Sequence, residues 1–80
     1  MAKNAQFSPC GRFIVSVSNN GTIKIWDSET GELIRTLEGH TSNVNSASYS
    51  PDGKYIVSTD DETIKIWDVR TGMLIRTIKE

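Results

Sequence analysis

Apolar and polar positions alternate along most of this chain with a period of two. The pattern is sharpest in a six-residue phrase, Thr-Ile-Lys-Ile-Trp-Asp, which occupies residues 22–27 and again residues 63–68, forty-one positions later. Four of its six places are β-branched or aromatic, which favours a pleated strand. Ile23 and Ile25 point to one side, and Thr22, Lys24 and Trp26 to the other. Both sides carry apolar bulk, so the phrase predicts a strand covered by other structure on both faces.

Sliding the sequence against itself shows that the repeat covers the whole chain. Phe7-Ser8-Pro9-Cys10-Gly11 lies over Tyr49-Ser50-Pro51-Asp52-Gly53 at an offset of 42, whereas from Thr22 onward the offset is 41. One residue is therefore missing from the second copy between Gly53 and Thr63, and either the strand there or the loop before it must absorb the difference. A slip of one residue would exchange the faces of that strand.

Turn residues divide each copy. Ser-Pro-X-Gly ends a first strand, because proline presets one corner and glycine accepts the positive φ of the next. A second strand is predicted over Phe13–Ser18 and Tyr55–Thr59. The first copy closes it with Asn19-Asn20-Gly21, a strong hairpin signal. The second closes it with Asp60-Asp61-Glu62, where glutamate at the glycine place predicts a different turn. The repeated phrase is the third strand. A Gly-terminated turn then leads to a fourth, Leu33–Leu37 or Leu74–Lys79. No helix-period stripe is present, so two four-stranded antiparallel meanders follow, joined by the linker Glu38–Ser42. The expected boundaries are residues 1–38 and 39–80.

Composition narrows the function. Of the 80 residues, 36% are apolar and 24% charged, which is ordinary for a folded domain. Net charge is −1 and the nine basic residues form no run. That is no footprint for nucleic acid or an anionic membrane. Met1-Ala2-Lys3-Asn4 lacks an apolar core, and no apolar run exceeds three residues, as at Phe13–Val15; neither a signal peptide nor a membrane-spanning helix is expected. Cys10 is the single cysteine and its counterpart is Asp52. It reads as a turn residue in a reducing, cytoplasmic setting.

Three features together then resemble the WD-repeat β-propeller family: Gly39-His40 ahead of a strand, Ser50-Pro51-Asp52-Gly53 after it, and Trp67-Asp68 beyond. The first copy supplies Ser8-Pro9-Cys10-Gly11 and Trp26-Asp27. The resemblance implies an all-β fold in which each copy is one four-stranded propeller blade. It also implies a hydrogen-bonded brace within each blade, linking the linker His, a hydroxyl late in the second strand, an acid in the next turn and the third-strand indole. By position the brace of the second blade would be His40, Thr59, Asp61 and Trp67. In the first it would be Ser18, Asn20 and Trp26, with its His absent or supplied by another chain. The family's partner-binding face would hold Asn43, Asn45 and Asp60 in the second blade, with Met1, Lys3 and Asn19 in the first.

Propellers close with roughly four to eight blades, and a repeat that cannot bury its faces needs neighbours. Two blades leave large side chains facing water, each forgoing about 1.5 to 3 kcal/mol. Both blades fit within the chain, since strand four of the second reaches Glu80 and Met1-Ala2 falls within a first strand. The expectation is a propeller fragment completed by oligomerisation, head to tail, as a trimer of six blades or a tetramer of eight. The alternative is a truncated piece of a longer propeller that binds other proteins.

Catalysis is the weaker expectation. Asp60-Asp61-Glu62 is an acidic cluster that could hold a cation or do acid–base work, but a solvated turn explains it as well. A lone His40 without further ligands at metal spacing is weak, and no nucleophile elbow, phosphate loop or Ser-His-Asp order is present. No cofactor is implied. Trp26, Trp67, Phe7, Phe13, Tyr49 and Tyr55 could stack on bases, yet each lies in a strand with core-like alternation.

Overall fold

The computed structural model describes residues 2–18, 20–40 and 43–79. Eight strands run in order: β1 Ala2–Phe7, β2 Phe13–Ser18, β3 Thr22–Asp27, β4 Leu33–Glu38, β5 Ser46–Tyr49, β6 Tyr55–Thr59, β7 Thr63–Asp68 and β8 Leu74–Lys79. They form two antiparallel four-stranded meanders, β1-β2-β3-β4 and β5-β6-β7-β8. The chain is thus all-β, as the alternation predicts. Glu38, expected in the linker, still pairs with Thr22 as the last residue of β4.

Register fixes what each face carries. In the first sheet Val15 lies opposite Ile25, which lies opposite Arg35, and Val17, Ile23 and Leu37 form the adjacent row. Directly opposed residues share a face, so this is an aliphatic face. The reverse face carries the row Phe7, Ile14 and Trp26. The second sheet repeats the arrangement: Val57, Ile66 and Arg76 on its aliphatic face, Tyr49, Ile56 and Trp67 on its aromatic one.

The two sheets meet unlike face to unlike face. Val15, Val17, Ile23, Ile25 and Leu37 from the aliphatic face of the first sheet are at most 2% exposed, and they form one core with Val44 of the connecting segment and Ala47, Ile56 and Trp67 of the second sheet. Phe13, Tyr49 and Val69 pack around it. β5 draws close to β1 and β2 at the inner end. At the outer end Arg35 of β4 reaches across the junction, its guanidinium donating to the carbonyl oxygens of Arg70 (3.1 Å) and Thr71 (3.0 Å).

The residue missing from the second copy is absorbed after the strand. The pair Val17–Ile23 encloses residues 18–22, whereas the corresponding pair Thr59–Ile64 encloses only 60–63. From Tyr55 to Thr59 the register matches that of the first copy at an offset of 42. This corrects the expectation that β6 or the loop before it takes up the deletion. Shortening a two-stranded connection leaves every face in place, whereas a slip within β6 would turn Ile56 outward. The two hairpins differ accordingly: Gly21 has φ +85°, and among the described residues no non-glycine has positive φ.

Candidate functional site

Ser58 joins the elements of the second sheet. It follows Ile56 by two residues, so it lies on the same aromatic face, diagonal to Trp67. The Trp67 indole donates to its Oγ at 2.9 Å, and the hydroxyl lies 2.7 Å from His40 Nε2. On the far side of the ring, His40 Nδ1 lies 2.7 Å from Asp60 Oδ2. An indole can only donate, which sets the polarity of the chain. Trp67 donates to Ser58, the Ser58 hydroxyl donates to Nε2, and Nδ1–H donates to Asp60. Asp60 Oδ2 also accepts from the Thr63 hydroxyl (2.9 Å), and Oδ1 accepts the backbone N–H of Glu62 (2.8 Å) and Thr63 (2.6 Å). The hydrogen bond from His40, reinforced by these backbone donors, holds the Asp60 carboxyl well below the usual carboxylate range.

The brace therefore uses Ser58 and Asp60, not Thr59 and Asp61. Thr59 points to the opposite face, where its hydroxyl meets Ser46 at 3.0 Å, and Asp61 accepts from the Asn45 side chain at 3.0 Å. Both corrections have one cause. The deletion falls in the turn, so acid and hydroxyl are counted from β6, and Ser58 and Asp60 are two apart on the face that holds Trp67. In the first sheet Trp26 donates to Ser16 at 2.9 Å. Ser18 is two residues further along β2, about 7 Å beyond, and belongs to a separate cluster. There Asn20 Oδ1 accepts from the Ser18 hydroxyl, from the Thr22 hydroxyl (2.7 Å) and from Thr22 N–H (3.3 Å). Neutral groups thus hold this turn as Asp60 holds the other.

His40, Ser58 and Asp60 stand in the hydrogen-bonding order of a hydrolytic triad, an arrangement that linear order did not reveal. Chemistry does not follow from it. Ser58 is 0% exposed, the His40 side chain is fully buried, and the Trp67 indole occupies the hydroxyl's acceptor side. A substrate carbonyl has no route to Oγ, and a nucleophile needs one.

The predicted partner face is only partly assembled. Asn43 and Asn45 are exposed, but Asp60 is buried with both oxygens engaged, so it is not a surface group. Lys3 belongs to β1, and its side chain, like Met1 and Asn19, lies outside the described residues. The acidic turn does not converge on a cation: among the described residues no three His, Cys, Asp or Glu side chains are grouped for one.

Gly39 completes the site. A Cβ there would lie 2.8 Å from the Trp67 ring, so only glycine lets the linker pass over the indole and deliver His40. Linker Gly-His, buried Ser, turn Asp and strand Trp thus form one unit. The family described as WD domain, G-beta repeat matches this chain at residues 3–27 and 31–68. The chain belongs to the WD-repeat family.

Relatives of this WD-repeat chain include the nuclear distribution protein PAC1 of Arthroderma otae, 47% identical over 52 residues that make up 65% of this chain and 11% of the relative. The Lissencephaly-1 homolog of Caenorhabditis briggsae is 48% identical over 50 residues, 62% of this chain and 13% of that protein. The chain thus spans about a ninth to an eighth of the length of these relatives. Among solved structures, the β-propeller domain of Cps50 (Swd1) from Myceliophteria thermophila superposes with a TM-score of 0.92 at 32% identity. The match covers 99% of this chain and 24% of that one. The chain has the fold of two blades of a β-propeller.

Proposed function

We propose that this chain is a non-catalytic interaction scaffold whose first partner is a second copy of itself. Two-blade units join head to tail, the aliphatic flank of one against the aromatic flank of the next, and close as a trimer of six blades or a tetramer of eight. The observation that carries this reading is the junction inside the chain. It seats an aliphatic face on an aromatic face, and the two flanks left open are one further copy of each.

Exposure follows that logic position by position. Val57 is 40% exposed where its counterpart Val15 is buried, and Ile78 is 42% exposed where Leu37 is buried. On the other flank Phe7 is 65% exposed where Tyr49 is half-buried, and Trp26 is half-open where Trp67 is closed. Apolar side chains displayed on this scale favour association. A contact between unlike faces is heterologous, so it must close on itself or run on as a filament.

Static light scattering tests this. A species of three or four times the 8.9 kDa chain mass supports ring closure; a folded single chain at all concentrations overturns it. The exposed Cys10 thiol suits a reducing compartment such as the cytoplasm.

The small share of its relatives that the chain spans favours a second reading, in which it is a slice of a longer propeller that binds other proteins and further blades cover the same flanks. Light scattering separates the two, because a slice without its neighbours gives heterogeneous aggregate instead of a discrete mass.

A further inference from the structure

We propose that Arg76 is the specificity clamp of the junction between copies, its guanidinium seated on the backbone carbonyls of Glu29 and Thr30 of the next chain. The inference rests on the head-to-tail reading and adds to it a residue, a receiving site and a direction. Its template is Arg35. That side chain leaves the end of the row Val15, Ile25, Arg35, crosses to the second blade, and donates to the carbonyls of Arg70 and Thr71. Arg76 ends the matching row Val57, Ile66, Arg76, follows the same irregularity of the outer strand, and is exposed on the open aliphatic flank.

The receiving turn is built alike in both blades. In the second, Asp68 Oδ1 accepts the N–H groups of Arg70 (2.8 Å) and Thr71 (3.3 Å), while Gly72 N–H donates to the Asp68 carbonyl (2.8 Å). In the first, Asp27 Oδ1 accepts those of Glu29 (2.8 Å) and Thr30 (3.1 Å), and Gly31 N–H donates to the Asp27 carbonyl (2.8 Å). With the same bonds and nearly the same φ at Gly31 and Gly72, the two turns share one backbone form, in which residues 29 and 30 correspond to 70 and 71. Gly72, with φ +76°, lies so close to the Arg35 stem that a Cβ would fall 2.7 Å from its Cδ; at Gly31, φ +79°, nothing described comes within 4 Å. The next contact inward behaves in the same way. Pro9 packs 3.7 Å from the Cβ position of Gly53, whereas nothing described comes within 4 Å of that of its counterpart Gly11.

Charge distinguishes the two seats. The seat that Arg35 uses carries a like charge at Arg70. The seat offered to Arg76 carries Glu29 in that place, whose carboxylate lies 3.7 Å from Arg12 of its own blade, so the junction between copies removes the repulsion. A planar guanidinium suits paired carbonyl acceptors better than an ammonium does.

The test uses two flank-blocked chains. V57D places a charge on the aliphatic flank and F7D on the aromatic flank, at positions 40% and 65% exposed in the single chain, and circular dichroism of each variant alone checks that it folds. Each alone stays a single chain by light scattering, and a mixture forms a 1:1 pair of four blades. Arg76→Ala introduced into the F7D chain, which supplies the aliphatic flank, weakens that pair about tenfold. The same substitution in the V57D chain leaves it unchanged. Equal pairing with and without Arg76 overturns the clamp while leaving assembly intact. If wild type assembles and the blocked chains do not pair, the head-to-tail polarity is overturned. If wild type remains a single chain throughout, the scaffold reading falls with it.

Discussion

Ser58 has one hydroxyl and two partners, the Trp67 N–H and His40 Nε2. Replacing it with alanine leaves the Trp67 N–H and His40 Nε2 buried without a partner, so Ser58→Ala should lower unfolding free energy by about 1–3 kcal/mol in a urea titration. Thr59→Ala, which loses an exposed bond to Ser46, should cost under about 1 kcal/mol. Equal effects would place the brace on the wrong hydroxyl. Asp60 sets an acid dependence whose sign follows from its lowered pKa. As pH falls the unfolded chain takes up the proton first, so the stability from this group is complete above about pH 4 and is lost below it. Asp27, held low by backbone N–H groups and Arg12, and Asp52, held low chiefly by the Ser50 hydroxyl, add to that slope. Thermal melts from pH 7 down to pH 2 should show a flatter acid limb for Asp60→Asn than for wild type.

At the scale of elements, the hairpin turns decide which residues share a face. Gly21 needs its positive φ, so Gly21→Ala should destabilise by about 1–2 kcal/mol. The shorter turn of the second blade has no such residue, so Glu62→Gly should bring no gain and a loss of up to about 1 kcal/mol through the unfolded chain. Chemical denaturation of both variants checks the contrast. These turns also explain what could be read from the letters. Strand limits were legible because Pro, Gly and Asn mark them chemically, and His40 and Trp67 were legible because each is the sole residue of its type in its blade. The middle of the brace was not. Ser58, Thr59, Asp60 and Asp61 offer two hydroxyls and two acids in succession, and only pairing register separates one face from the other. Arg35 was missed for a related reason: its partners are backbone carbonyls, which leave no trace in side-chain identity.

For the whole molecule, what governs behaviour is that two unlike flanks lie open. If copies cover them, apparent thermal stability must rise with protein concentration, because association draws on the folded state alone. Wild type should therefore melt at higher temperature as it is concentrated, and V57D should not. Trp26 provides a readout of the same event without any label. Its indole stands at the half-open aromatic flank while Trp67 is already enclosed, so the chain carries one fluorophore that senses solvent and one that does not. Emission at low concentration should be a composite of a red and a blue component, and dilution should shift the red one alone. Replacing Trp26 with phenylalanine would leave a spectrum blind to the presence of neighbours.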